Sequence, residues 1–118
     1  LYIFKTDKNF NKIFSHELNP VIIDSRYARN AGNIFYDKNG LLLRPSQKNT
    51  HNLYGGGLNI RKIKKLNIKE YVEENHITYY PSRKKNINII HHFSKNKNSF
   101  AFDMRHKNFF SYLFPKNY

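Results

Sequence analysis

Residues 33–43 of this chain read NIFYDKNGLLL. An Asn-Gly pair between two apolar runs is a strong short-range signal for a β-hairpin, because a tight primed turn needs positive φ angles that Asn39 and Gly40 tolerate. We therefore predict two paired strands, at 34–36 and 41–43, that are joined by a primed turn at this pair.

Arginine and glutamine side chains flank the predicted hairpin. Arg26 and Arg29 precede its first strand, and Arg44 and Gln47 follow its second. Since a hairpin begins and ends at the same edge, three guanidiniums and one amide should gather at its open end. Planar donors suit carboxylate and phosphate, and Tyr54 adds an aromatic face, so an anion or glycan site is predicted. An internal network that holds the strands together is the alternative, and both roles can coexist.

The composition fits one small domain. The chain has 118 residues and 39% hydrophobic residues, and its ten Phe and nine Tyr can fill a core that a disordered chain would lack. There is no Cys, and the six His are scattered, so we expect neither a metal site nor a cofactor. No apolar run approaches the roughly 20 residues of a membrane span.

The basic charge has two interpretations. A net charge of +13 is typical of proteins that bind polyanions such as nucleic acid. It also fits codon bias, which we favour, because Asn, Lys and Ile make up 44 of the 118 residues and the Lys are spread over the whole length. A basic nucleic-acid-binding module is therefore kept as an alternative function.

Short strands with turn signals between them dominate the rest of the chain. Such spacing favours an all-β sandwich, barrel or propeller. We predict one or two helical turns at 68–75, with Glu73 and Glu74 on a solvated face. The aromatic tail 109–118 should dock on the core. The predicted strands are 1–6, 21–23, 34–36, 41–43, 55–60, 63–66, 87–93 and 100–106.

No catalytic pair of residues stands out. Asp24 and Asp103 lie among strand ends and Arg residues, and a carboxylate beside Arg stays ionised, which suits pairing better than proton donation. We therefore predict that they pair with Arg26, Arg29 or Arg105, and that Arg29 in particular meets one of the two carboxylates. No Ser lies in a nucleophile elbow, so catalytic residues are left unassigned.

The order of these motifs resembles a known family. The segments DSRYARNAG at 24–32, LRPSQ at 43–47 and Tyr54-Gly55 are similar to a pattern of Asp-x-Arg-x-x-Arg-Pro-x-Gly, Arg-Pro-x-Gln and Tyr-Gly. That pattern is found in the five-bladed β-propeller domain at the N-terminus of glucosamine inositolphosphorylceramide transferases. Related bacterial carbohydrate-processing proteins share it, and the domain is similar to arabinanase-like glycoside hydrolases. IHH at 90–92 and DMR at 103–105 resemble its Gly-x-His-Thr and Asp-Gly-Lys-Arg strands.

The chain also departs from the family pattern. Asn30 stands where Pro is usual, His92 where Thr is usual, and Met104 and Arg105 where Gly and Lys are usual. The resemblance covers residues 1–106 and the last two or so blades of the family domain. It implies that residues 1–118 are the C-terminal part of one β-propeller and that further blades precede them. The chain begins at Leu1 in a strand-like run, so we expect a truncated chain whose localisation is open, with a leaning to the cytoplasm.

The resemblance implies a glycan context. The partner would be a sugar, a sugar phosphate or a glycoconjugate. The family's hydrolase acids lie mainly on earlier blades and its glycosyltransferase chemistry in a separate domain, so we do not expect this segment alone to catalyse a reaction. A non-catalytic scaffold is a further alternative. The predicted ligand-binding residues are Arg26, Arg29, Arg44, Gln47, Tyr54, His91, Asp103 and Arg105. The predicted structural residues are Asp24, Gly32, Pro45 and Gly55.

Overall fold

Turn-forming residues divide the chain into antiparallel hairpins. A computed structural model describes residues 1–49 and 54–106, and in these ranges the chain is all-β, with eight strands in three small sheets and no α-helix. A short 3-10 turn at Arg83–Lys85 precedes the last hairpin. The strands are β1 (Phe4–Thr6), β2 (Ile13–Ser15), β3 (Phe35–Tyr36), β4 (Leu42–Gln47), β5 (Leu58–Leu66), β6 (Tyr71–Tyr79), β7 (Ile87–Lys95) and β8 (Phe100–His106).

The central sheet is a meander in which each strand pairs with the next, in the order β3-β4-β5-β6. The other two sheets are the hairpins β1–β2 and β7–β8. No closed barrel or propeller is formed by the described residues, and no helix among them is long and apolar enough to cross a membrane. The predicted all-β class is confirmed.

The hairpin predicted at 34–43 is confirmed, with Phe35 opposite Leu43. The predicted primed turn is wrong, because of its two residues Gly40 has a positive φ, of 76°, and Asn39 does not. The amide of Gly40 instead donates to the carbonyl of Asp37 at 3.1 Å, and the Asp37 carboxylate accepts bonds from the amides of Asn39 and Leu41. This is a three-residue loop that ends in a left-handed glycine, and the Asp37 side chain stabilises it.

Three predicted elements differ from the structure. Residues 21–23 are not a strand, although the amide of Val21 bonds the carbonyl of Leu1 at 2.9 Å. The predicted strands 55–60 and 63–66 are one continuous strand, β5, with no turn between them. The helical turns predicted at 68–75 are instead part of the turn before β6 and the start of that strand. The side chain of Asn67 accepts bonds from the amides of Lys69 and Glu70 and reverses the chain, so residues 71–79 pair with β5.

The core lies between the central sheet and the β7–β8 hairpin. Its buried members are Ala31, Leu43, Leu58 and Ile60, and Phe35, Leu41, Ile90 and Phe93 pack against them. The rings of Phe35 and Phe93 have centroids 5.6 Å apart, in a tilted arrangement. One apolar layer thus joins the two sheets.

Strand β7 approaches the backbone of the central region at two glycines. The amide of Phe93 bonds the carbonyl of Ala31 at 2.6 Å, and the amide of Ile90 bonds the carbonyl of Gly55 at 3.1 Å. A Cβ on Gly32 would lie 1.8 Å from the Phe93 carbonyl oxygen, and a Cβ on Gly55 would lie 2.3 Å from the Ile89 side chain. Gly32 therefore excludes any side chain, because the contact is with backbone, whereas a side chain at Gly55 would require Ile89 to shift. The docking predicted for the tail 109–118 lies outside the described residues.

Candidate functional site

Arg44 is the charged residue of β4, and it is buried, with 1% of its surface exposed. Its guanidinium donates to both carboxylate oxygens of Glu73, at 2.7 and 2.8 Å. It also donates to the side-chain oxygen of Asn30 and to the carbonyl of Tyr27, each at 2.8 Å. These contacts make Arg44 an internal anchor that ties the segment before β3 to β6.

Glu73 lies between two guanidiniums. Arg61 donates to it at 3.0 Å, and the Tyr71 hydroxyl makes a short hydrogen bond with it. Burial opposes ionisation of Glu73, but the hydrogen bonds from Arg44, Tyr71 and Arg61 outweigh burial and hold its pKa below the ordinary value. Burial and the hydrogen bond with Glu73 raise the pKa of Tyr71, so this hydroxyl stays protonated.

The solvated face predicted for Glu73 is therefore wrong, since its side chain is 4% exposed. The prediction is right for Glu74, which is 53% exposed and pairs with Lys64. Sequence reasoning missed Glu73 because it assigned this segment to a helix. The available signal was the Asn67 turn between two β-rich runs. It would have placed residues 71–79 beside β5 as a strand, with successive side chains on opposite faces of the sheet.

Asp24 pairs with Arg26, as predicted, at 2.6 Å. The hydrogen bonds from Arg26 hold the pKa of the Asp24 carboxyl well below its usual range. The Arg26 guanidinium also lies 5.7 Å from the ring centroid of Tyr27. The Arg61 guanidinium lies 4.7 Å from the same centroid. Tyr27 thus lies between Arg26 and Arg61, the second guanidinium that donates to Glu73.

A second group of side chains lies beside β7, and we call it the Tyr54 cluster: Arg29, Gln47, Tyr54, His91 and Asp103. The Arg29 guanidinium lies 5.2 Å from the ring centroid of Tyr54, and the His91 ring meets the same ring edge-on at 5.4 Å. The Gln47 amide donates to the carbonyl of His91 at 3.2 Å and lies 3.5 Å from the Tyr54 hydroxyl. Gln47 is buried, and its amide links Tyr54 to the backbone of β7.

A β-bulge presents His91 to this cluster. Ile90 pairs with Met104 and His92 with Asp103, so His91 is an extra residue on its strand. The Asp103 carboxylate accepts a bond from the His91 amide at 3.3 Å, and its other oxygen lies 2.5 Å from the ring Nδ1. Bulges of this kind re-aim a side chain out of the regular ladder. Because Nδ1 is held by Asp103, the opposite ring nitrogen, Nε2, points away from this carboxylate.

The structure thus brings together five of the eight predicted ligand-binding residues. Arg44 pairs with Glu73 and Arg26 with Asp24 instead, and Arg105 is exposed on β8, opposite Ile89. Asp103 pairs with His91, not with Arg105. The carboxylate partner predicted for Arg29 is not found among residues 1–49 and 54–106, where its guanidinium stacks on Tyr54.

No family model, no curated protein and no solved structure matches this chain.

The Tyr54 cluster offers several kinds of binding group. It combines a half-exposed aromatic ring with a guanidinium donor, a carboxylate acceptor and an oriented imidazole. No group of three or more His, Cys, Asp or Glu side chains that could hold a metal ion occurs in the described ranges. Such a set of groups can bind a polyol or a small anion by stacking and hydrogen bonding.

Proposed function

We propose that this chain is part of a carbohydrate-binding domain and that a sugar, sugar phosphate or glycoconjugate binds at the Tyr54 cluster. The observation that carries the proposal is Tyr54, a residue 45% exposed, with Arg29 over the face of its ring and the His91–Asp103 pair at its side. The apolar face of a sugar ring packs on an aromatic ring, while its hydroxyl groups need donors and acceptors at the rim.

The charges of the cluster favour an anionic sugar. The carboxylate of Asp103 is engaged by His91, whereas the exposed guanidinium of Arg29 has a planar set of donors that suits phosphate or carboxylate. The net charge of +13 also attracts anions at long range. A sugar phosphate should therefore bind more tightly than the neutral sugar.

We also infer that the sheet β3–β6 is one blade of a propeller and that β7–β8 begins the next. The four-stranded antiparallel meander, with each strand beside the next in sequence, supports this inference, because it is the architecture of a propeller blade. The apolar contact between the face of the meander and the β7–β8 hairpin supports it as well.

The test is a calorimetric titration with glucose 1-phosphate, glucose and inorganic phosphate. Arg29→Lys keeps the charge and loses the planar fork, so we expect binding of the sugar phosphate to weaken by about 1–3 kcal/mol. The matched control is Arg26→Lys, the same change three residues earlier, on a guanidinium that pairs with Asp24. It should leave the affinity unchanged.

Melting curves of both variants distinguish binding from stability. If Arg29→Lys lowers the melting temperature but leaves the affinity of the folded protein unchanged, then Arg29 has a structural role and the proposed site is wrong. Equal weakening by both substitutions would also contradict a defined site.

The charge of +13 supports nucleic-acid binding as a second candidate function. A salt series with single-stranded and double-stranded DNA and RNA separates the two candidates. Tight binding that falls steeply with salt and changes little in Arg29→Lys would indicate a polyelectrolyte contact spread over many Lys. Absence of binding to every probe would leave the scaffold role.

A further inference from the structure

Apolar side chains lie exposed on both faces of the hairpin formed by β1 and β2. All three residues of β2 are exposed, and so are two of the three in β1. Because successive side chains of a strand point to opposite faces, the register places Phe4 and Ile13 on one face and Phe14 on the other. All three of these side chains are exposed, so water reaches apolar surface on each face of the hairpin.

A phenylalanine stands at the tip of the same hairpin. Residues 7–12 join the two strands and read DKNFNK, and Phe10 among them is 77% exposed. The amide of Phe10 donates to the carbonyl of Asp7 at 3.2 Å, and its φ of 57° lies in the left-handed region. A bulky side chain is rare in that conformation, whereas Asn or Gly adopts it at lower cost. Since the local backbone does not favour phenylalanine at this place, the contacts of its exposed ring are the better explanation.

Lysine side chains surround this tip. Lys8 and Lys12 flank Phe10 in the loop, and both are exposed. Lys5, on β1, is exposed as well. The carboxylate of the loop belongs to Asp7, which accepts a bond from the amide of Lys12 at 2.9 Å and so closes the loop. The tip therefore combines an exposed aromatic ring with an excess of positive charge.

We propose that this hairpin tip binds the surface of an anionic lipid membrane, with the ring of Phe10 inserted between the headgroups. Aromatic rings are favoured at the boundary between headgroups and acyl chains, and lysine side chains beside them can reach the lipid phosphates and carboxylates. Strands of three residues are about 10 Å long. That length suits the depth of about 5–10 Å at which amphipathic segments lie in this boundary.

The positions of the apolar side chains favour lipid over a folded protein partner. Exposed apolar surface rimmed by polar residues marks a site for either kind of partner. A folded partner presents one surface and would cover one face of the hairpin, whereas a fluid lipid layer closes around the tip and both faces.

Charge complementarity favours anionic lipid over a second copy of the chain. Two copies that each carry a net charge of +13 repel one another. An anionic membrane surface instead attracts this charge, and the attraction is strongest for the lysines that come within a Debye length of the lipid. Lys5, Lys8 and Lys12 are the lysines that the proposed orientation brings there.

The test uses tryptophan fluorescence of the full chain. The protein has no Trp, so Phe10→Trp introduces a single indole at the tip. The matched control is Tyr36→Trp, on β3, where the native residue is 68% exposed. We expect vesicles of equal parts phosphatidylserine and phosphatidylcholine to shift the emission of Phe10→Trp to the blue, and brominated acyl chains to quench it. The emission of Tyr36→Trp should change little, and vesicles of phosphatidylcholine alone should bind both variants weakly.

Co-sedimentation with the same vesicles measures the contribution of single side chains to the affinity. Phe10→Asn suits the left-handed backbone, so it should preserve the melting temperature while lowering the affinity about tenfold. Lys12→Gln should lower the affinity about fivefold. Lys38→Gln is its matched control, because it makes the same change at an exposed lysine in the β3–β4 turn, and it should leave the affinity nearly unchanged.

Absence of a blue shift in Phe10→Trp with the mixed vesicles would overturn the proposal. Equal shifts in Phe10→Trp and Tyr36→Trp would also overturn it, because they would indicate adsorption by net charge without a preferred face. Equally tight binding to phosphatidylcholine alone would contradict a role for anionic lipid. A blue shift that grows with protein concentration when no vesicles are present would show that a second copy covers Phe10, and the proposal would again be wrong.

Discussion

At the scale of single residues, the buried pair of Arg44 and Glu73 governs the interior. Two guanidiniums and one tyrosine hydroxyl satisfy one carboxylate, and the remaining donors of Arg44 reach Asn30 and the Tyr27 carbonyl. A buried ion pair stabilises a fold little by itself, because both charges lose their hydration. Loss of one partner is costly, however, because the other charge is then left buried without compensation.

Glu73→Gln should therefore lower the free energy of unfolding by about 3–5 kcal/mol, since it leaves Arg44 and Arg61 without an anion. Urea denaturation measures the change. The neighbouring substitution Glu74→Gln removes the same charge from an exposed pair with Lys64 and should leave stability nearly unchanged. Equal effects of the two substitutions would contradict the assigned role of Glu73.

The same carboxylate predicts sensitivity to acid. Its pKa in the folded protein lies below the ordinary value of 4.5, so the stabilisation is fully present above that value and is lost as pH falls through the folded pKa. Melting temperatures measured from neutral pH downward should fall more steeply below pH 4.5 for the wild type than for Glu73→Gln. Parallel curves would show that Glu73 does not titrate with unfolding.

At the scale of elements, asparagine and aspartate side chains shape the hairpins. Asp37 accepts amide bonds in the β3–β4 turn, Asn67 does so in the β5–β6 turn, and Asn96 does so in the β7–β8 turn. An Asx side chain that binds amides two or three residues ahead mimics a backbone turn. Asn and Asp side chains thus stabilise these turns, and this holds whether or not codon bias explains the many Asn residues of the chain.

The docking of β7 depends on Gly32. Its φ of 145° is a conformation that side chains rarely adopt, and a Cβ would meet the Phe93 carbonyl oxygen at 1.8 Å. Gly32→Ala should therefore lower the free energy of unfolding by an amount on the order of 3 kcal/mol. Gly40→Ala is the matched control, because Gly40 also has a positive φ but a Cβ there meets nothing within 4 Å. It should lower stability by about 1 kcal/mol.

Thermal melts of the two glycine variants measure how much stability each one loses. If both lose the same stability, then backbone strain alone accounts for the effect and the close approach of β7 is not required. A larger loss in Gly32→Ala would support the hairpin position described above.

At the scale of the whole molecule, a small apolar core holds together sheets that carry a large excess of positive charge. Self-repulsion of +13 destabilises the compact state, and salt screens it. The melting temperature should therefore rise as NaCl increases to about 1 M, where the Debye length falls to about 3 Å. A fall with salt would show that the surface ion pairs outweigh the repulsion.

The sequence alone determined the local features of this protein. The hairpin at 34–43 and the return strand at 100–106 followed from turn residues and alternation, which act between neighbours along the chain. The pairing of Asp24 with Arg26 is equally local, because only one residue separates them. Composition also indicated a single small domain rich in aromatic residues.

The tertiary structure decided which distant residues meet. Arg44 faces Glu73 because β6 pairs with β5, and the Tyr54 cluster forms because β7 docks at Gly32 and Gly55. His91 reaches that cluster through a bulge, which shifts the register by one residue and leaves no mark in the alternation pattern. Contacts of this kind depend on pairing between segments far apart in the chain, and a local pattern carries no information about that pairing.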